Sequence, residues 1–196
     1  MEYETLLNEM ISNKNLMNSY KLYFLKALLI NVSVQRESLG FYEMACWMCA
    51  YSFSDVRRKG GRIRPLDRLF DIAVLAIETE DLMESSRTSE VFEALLNTDN
   101  KKLKHLVYSL CDYVPYRLLS CLWPRELKGI TGREKNRMIE RLSRSEKECI
   151  YSIYSDTDEE GYIEVNADWA RFISDHRNEL VEWIDKKIRD FIWKEE

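Results

Sequence analysis

A proline in the middle of the most aromatic-rich apolar stretch of the chain constrains the fold more than any other feature. Leu103 to Pro124 reads LKHLVYSLCDYVPYRLLSCLWP. Pro115 has no backbone N–H and biases Val114 towards extended geometry, so a helix arriving from Leu103 is expected to stop or kink there. A second short helix is expected from Tyr116. Leu106, Val107, Leu110 and Val114 crowd one side of this break, and Leu118, Leu119, Leu122 and Trp123 the other. That is the composition of a buried seam, the joint at which the two halves of one core meet.

Helical periodicity dominates the rest of the chain. Tyr3, Leu6, Leu7, Met10 and Ile11 recur at steps of three and four, which predicts a short amphipathic first helix. The segment SYKLYFLKALLINV, capped by Asn18 or Ser19, is apolar nearly all round, with little more than Lys21 and Lys26 left for water, and predicts a central helix. Further helices are predicted over Phe41 to Phe53, from just after Pro65 to Ile77, over Ser89 to Leu96 with Ser89 as cap, from Arg133 to Leu142 and over Ser145 to Ile150. The last stretch begins at an Asn166 cap and breaks near Asp175 to Asn178. Tyr151 to Tyr154 and Tyr162 to Val165 alternate about an acidic turn, a hairpin signal. Ser54 to Pro65 reads as a loop. Three prolines and six glycines in 196 residues leave little turn chemistry for a strand-rich fold.

These elements predict an all-α, or mainly α, irregular bundle of about eight helices with one small β-hairpin. Residues 1–124 are expected to form the helical core. Residues 125–196 are expected to supply a charged linker, the hairpin and C-terminal helices packed on that core. No apolar run approaches the roughly 18 to 20 residues of a membrane span, and the N-terminus is acidic where a signal peptide is basic, so a cytoplasmic protein with no membrane partner is expected. Five cysteines in mostly apolar settings suit reduced core thiols rather than a disulfide framework.

Motifs for chemistry are weak. Cys46 and Cys49 have redox or half-zinc-site spacing but sit in an apolar helical stripe, so they read as core. Asp156 to Glu164 follows a calcium loop through nine positions, yet Ala167 stands where the closing bidentate carboxylate belongs, and an acidic turn is the better reading. His105 and His176 lack partners at ligand spacing. No catalytic residue, metal site or cofactor is expected, and a site around Asp175 and His176 is the least favoured alternative.

Charge is more informative. The net charge of −5 hides a basic run, Arg57, Arg58, Lys59, Arg62 and Arg64, with a second patch at Lys101, Lys102 and Lys104. Arg125 to Lys147 is also rich in Arg and Lys. Guanidinium groups beside a glycine hinge suit a phosphate backbone, so these eight residues are the candidate nucleic-acid contacts; the bland alternative is a solvated loop paired with the acidic C-terminal half.

The segments SYKLYFLKALL, MACWMCAYSF leading into PLDRLFDIAVL, VPYRLLSCLWP and ADWARFISDHRNELVEWI, in that order over Asn18 to Trp193, resemble the helical region upstream of the catalytic module in bacterial HNH endonuclease-domain proteins. No part of the chain matches the module itself, whose histidines and asparagine bind metal, so no catalytic residue carries over. The resemblance implies a non-catalytic helical domain that positions or senses nucleic acid for a nuclease. The alternative is a protein-interaction module using the aromatic C-terminal helix, with Trp183, Ile188, Phe191 and Trp193 as partner contacts. The expected partners are therefore nucleic acid, a nuclease module or other protein, or a second copy of the chain.

Overall fold

The computed structural model describes residues 3–12, 16–146, 149–155 and 161–193. The first helix, α1 (Tyr3–Met10), turns Leu7 and Met10 inward and lays the Tyr3 ring on Phe172 (centroids 4.4 Å apart) and edge-on to Trp169 (4.5 Å). Next comes α2 (Tyr20–Asn31), which buries Leu22, Tyr23, Phe24, Leu25, Ala27, Leu28 and Leu29. A helix apolar round nearly its whole circumference has to be enclosed. It is covered by α3 (Phe41–Lys59), by α7 (Val114–Leu119) and by the last helix, α10 (Arg177–Ile192).

Both ends of α2 are tied by side chains from far along the chain. At its start, Ser19 is not a cap by its own hydroxyl. Its backbone N–H (3.3 Å) and its hydroxyl both donate to the buried carboxylate of Asp67, which also accepts from the Leu69 N–H at 3.1 Å. At its other end the Arg177 guanidinium donates to the Leu29, Ile30 and Val32 carbonyls, groups that a helix C-terminus leaves unpaired. Lys26 forms an ion pair with Asp185 at 2.7 Å, further along the antiparallel α10.

The Asp67 tie also explains why α4 (Leu69–Thr79) starts later than the Pro65 signal predicts. Asp67 has to stay outside the helix to accept from Leu69 N, and Leu66, the residue directly after Pro65, is 78% exposed. Similarly α3 runs six residues past Phe53, because Val56 continues its buried stripe and Arg57, Arg58 and Lys59 suit the negative end of a helix. The predicted loop therefore begins only at Gly60, whose positive φ of 69° closes the helix in the left-handed region.

After α5 (Thr88–Leu96), where Arg87 rather than Ser89 occupies the cap position, α6 (Lys101–Tyr108) is capped by the Asn100 side chain. The proline seam follows. A 3-10 turn over Ser109–Asp112 leads through Tyr113 (φ −133°) directly into α7. The break thus falls at Tyr113 and not at Pro115. Pro115 stands in the first turn of α7, where its missing N–H costs nothing, and Val114 is helical rather than extended.

The chain continues through α8 (Gly132–Ser145), β2 (Tyr151–Tyr154), β3 (Tyr162–Val165), α9 (Ala167–Asp175, capped by the Asn166 side chain) and α10. The hairpin strands fall where alternation places them, and a third strand, β1 (Ser38–Gly40), joins them in the antiparallel order β1-β3-β2. Leu39, Ile163 and Ile153 lie in register across the three strands and point into the core. The helix expected over Ser145 to Ile150 is absent at both ends: α8 stops at Ser145, and Cys149 and Ile150 are buried in the approach to β2. No described helix is long and apolar enough to cross a membrane.

Burial raises the pKa of Asp67 above its ordinary value near 3.8, against the pull of its hydrogen bonds from Ser19 and Leu69. The folded state therefore holds this proton more tightly than the unfolded state, so the Asp67 contribution to stability declines as pH rises from about 3.8 through the raised value. Denaturant melts across this range should show that decline in the wild type relative to Asp67→Asn. Asp67→Ala, which strands the Ser19 and Leu69 donors, should cost about 1 to 3 kcal/mol.

Candidate functional site

The basic run and the aromatic C-terminal helix, candidates for two different roles, meet each other. Lys59 donates to the Ile192 carbonyl at 3.3 Å, at the electronegative end of α10. Arg58 lies 4.9 Å and Lys59 5.7 Å from the Trp193 ring centroid, and Arg64 sits 4.8 Å from that of Phe191. Arg57 is paired with Glu84 and lies over Phe70, while Arg62 grips Asp71 through two contacts of 3.1 and 2.6 Å and donates to the Pro65 carbonyl. Hydrogen bonding to Asp71 raises the Arg62 pKa further. Of the C-terminal candidates, Ile188 is buried, Trp183 and Phe191 are half-buried and Trp193 is 41% exposed.

The second basic patch stands at the opposite end of α3. Lys101, Lys102 and Lys104 are exposed in the first turn of α6, and Lys104 lies 5.3 Å from the Tyr42 ring centroid. Tyr42 and Arg57 are separated by roughly 22 Å of helix at about 1.5 Å per residue. The eight predicted contacts therefore do not form one surface.

What the spacing held, and sequence reasoning passed over, is a row on α8. Arg133, Arg137, Arg141 and Arg144 recur at steps of four, four and three, so all four share one helical face, and all four are exposed. The row extends about 16 Å along the axis. Arg144 is held by Glu140, by the Ile153 carbonyl at 2.8 Å and by the Tyr154 ring. Among the described residues, Arg133, Arg137 and Arg141 have no carboxylate within ion-pair distance.

Beside the row runs a cleft that the seam creates. By breaking at Tyr113, the α6–α7 joint brings Tyr108, Tyr113 and Tyr116 together with Phe41 as one wall; Arg133, Asn136, Arg137 and Glu140 of α8 form the other. This cavity of about 310 Å³ adjoins a second of about 460 Å³, which shares Arg137, Glu140 and Ser155 with it and is lined also by Arg141, Arg144 and Ser145. Tyr113 is 49% exposed. Asn136 donates to the Asp112 carbonyl at 2.9 Å while its buried Oδ1 accepts nothing among the described residues. Glu140 accepts from the Ser155 N–H (2.8 Å) and hydroxyl (2.6 Å), which closes the floor. Burial raises the pKa values of Asp112 and Tyr116; His105 and Arg133 pull that of Asp112 back, as the Ser155 hydrogen bond does that of Tyr116. The cleft thus offers exposed guanidinium groups, ring faces and one unused acceptor.

The remaining sequence candidates are placed as follows. Cys46 and Cys49 are buried in α3, and burial pushes the Cys49 thiol pKa far up, which leaves little thiolate for metal or redox chemistry. His176 contacts Glu179 at 3.3 Å at the α9–α10 junction. No cluster of three or more metal-ligating side chains exists among the described residues, and residues 156–160 of the calcium-like turn lie outside them. Comparison of the chain with family models, with curated proteins and with solved structures finds no match.

The two arginine populations should separate in a melting experiment. Arg57→Glu and Arg62→Glu set like charges against Glu84 and Asp71 and should lower the melting temperature, whereas Arg133→Glu and Arg137→Glu should leave it within a degree or two of wild type, since exposed unpaired charges contribute little.

Proposed function

We propose that this chain is a non-catalytic helical domain that holds nucleic acid, single strands in preference to duplex, along α8 and the adjoining tyrosine cleft. The observation that carries the reading is the exposed row Arg133, Arg137, Arg141 and Arg144 beside Tyr108 and Tyr113. Phosphate oxygens accept paired hydrogen bonds from guanidinium groups, and a base splayed from a single strand stacks on a tyrosine face. The length of the row, about 16 Å, corresponds to roughly five nucleotides at 3.4 Å each. Lys104, close to Tyr42 and Tyr108, extends the positive surface at the tyrosine end.

Service beside an HNH-type nuclease is the setting that the sequence resemblance implies, and a domain that holds a strand without cutting it fits that setting. The run Arg57 to Arg64 is the weaker candidate for the contact, because much of its charge is spent on Glu84, Asp71 and the end of α10. The same contacts weigh against the aromatic end of α10 as a docking surface for another protein.

Fluorescence anisotropy with labelled single-stranded and duplex oligonucleotides over a salt series tests the reading. Single-strand affinity should fall steeply with salt, with a slope near 0.7 for each phosphate neutralised. The triple variant Arg133→Glu, Arg137→Glu, Arg141→Glu should lose binding, and Tyr113→Ala should weaken it by about 1 to 3 kcal/mol. Undiminished binding by the triple variant would overturn the assignment.

A further inference from the structure

A third cavity, sharing only Tyr113 with the cleft, has a different chemistry. It encloses about 420 Å³ between the start of α2 and the joint leading into α7. Leu110, Val114, Met17 and Tyr113 give it apolar walls, and Lys21 and Arg117 reach it from α2 and α7. Three of its hydroxyl groups are committed elsewhere. The Ser109 hydroxyl donates to the Leu106 carbonyl, Ser120 to that of Arg117, and Tyr20 to that of Leu66. Besides Asn18, whose Oδ1 accepts from the Tyr20 N–H at 3.2 Å, and the Tyr113 hydroxyl, what faces the space is cationic, and its only formal charges are those of Lys21 and Arg117.

That charge is uncompensated. Lys21 is half-buried, and burial lowers its pKa; Cys121 pulls the other way, and repulsion from Arg117 and Lys135 adds to the lowering. Among the described residues no carboxylate lies within ion-pair distance of Lys21, Arg117 or Lys135; Arg117 has only the Tyr113 ring, 5.7 Å away. Two half-buried like charges beside one another cost stability unless an anion joins them. Lys26, five residues further along α2, shows the contrast: also half-buried, it is paired with Asp185 at 2.7 Å.

We propose that this cavity binds a small organic anion, a phosphate monoester or carboxylate whose head lies between Lys21 and Arg117 and whose apolar part rests on Leu110, Val114 and Tyr113. The volume is within the range of small-molecule sites, which pair mostly apolar walls with a few placed polar groups. Exposed Met17, 86% accessible at the rim, gives the apolar part of the ligand a flexible cover. This site does not depend on nucleic-acid binding, because it uses none of the α8 arginines.

Calorimetric titration of the full chain with phenyl phosphate, benzoate, inorganic phosphate and benzyl alcohol provides the test. Phenyl phosphate or benzoate should bind saturably, and the better of the two should exceed inorganic phosphate and neutral benzyl alcohol by roughly tenfold or more, the equivalent of one good polar or apolar contact. Lys21→Met should weaken that anion by a similar factor while melting no lower than wild type, since it removes an unpaid charge; a lysine kept for structure would melt lower. Met17→Glu, at the exposed rim, should weaken the anion by repulsion without touching the core. The proposal is overturned if neither organic anion binds, if benzyl alcohol binds as tightly, or if both variants retain wild-type affinity.

Discussion

Enclosure of α2 is the constraint on which the rest of the structure depends. A helix with Leu22 through Leu25 and Ala27 through Leu29 buried leaves little beyond Lys21 and Lys26 for solvent, so α3, α7 and α10 are required around it. Each fully buried Leu or Phe contributes about 1.5 to 3 kcal/mol, which makes this helix, together with α3 packed against it, a major concentration of hydrophobic stabilisation in the chain. Enclosure also creates the polar problems that the fold then solves. Neither end of α2 can rely on water for its unpaired backbone groups, and Asp67 at one end and Arg177 at the other take that place. These two side chains come from distant segments, so capping α2 and closing the tertiary fold are one event.

The distribution of basic residues follows from the same enclosure. Because α10 has to lie along α2, its C-terminal end arrives at the C-terminal end of α3, and two electronegative helix ends meet. Arg57, Arg58, Lys59 and Arg64 gather where that negative charge accumulates, with Glu84 and the rings of Phe70, Phe191 and Trp193 completing the cluster. A basic run that looks like a ligand site in one dimension is, in three, largely the counter-charge of a helix junction. On α8 only Arg144 is tied down in this way, by Glu140, the Ile153 carbonyl and the Tyr154 ring. The α8 row faces away from the core, with Ile139 and Ser143 on the buried side.

Helix positions, the two hairpin strands and the Asn166 cap were legible because each rests on local periodicity or local hydrogen bonding. What was not legible depends on distant partners. Three residues, Ser38 to Gly40, are too short to alternate, and β1 exists only because β3 offers an edge. The late start of α4 depends on the tie between Asp67 and Ser19, and the hydrogen bond of Lys59 on a carbonyl 133 residues away. The α8 row was visible as a spacing of arginines, but its significance needed the cleft. The cleft in turn needed Tyr113 to be the break residue, a displacement of two positions from the proline that signals it.

Rigidity is what turns the α8 row from a solvated face into a surface with defined geometry. Ser143 accepts from the Ile153 N–H at 3.1 Å, Arg144 donates to the Ile153 carbonyl at 2.8 Å, and Glu140 is locked by Ser155, so the C-terminal half of α8 is pinned to the edge of β2. Asn136 ties the N-terminal half to the carbonyl of Asp112, next to the break residue itself. The arginines are therefore fixed relative to the tyrosine wall before any ligand arrives. An anionic ligand meeting them has only their outer rotamers to order, whereas the same arginines on a loop would add backbone ordering of about 1 to 2 kcal/mol per residue. Placing the charge on a pinned helix, rather than on the glycine hinge at Gly60 and Gly61, is what makes binding of a polyanion there thermodynamically inexpensive.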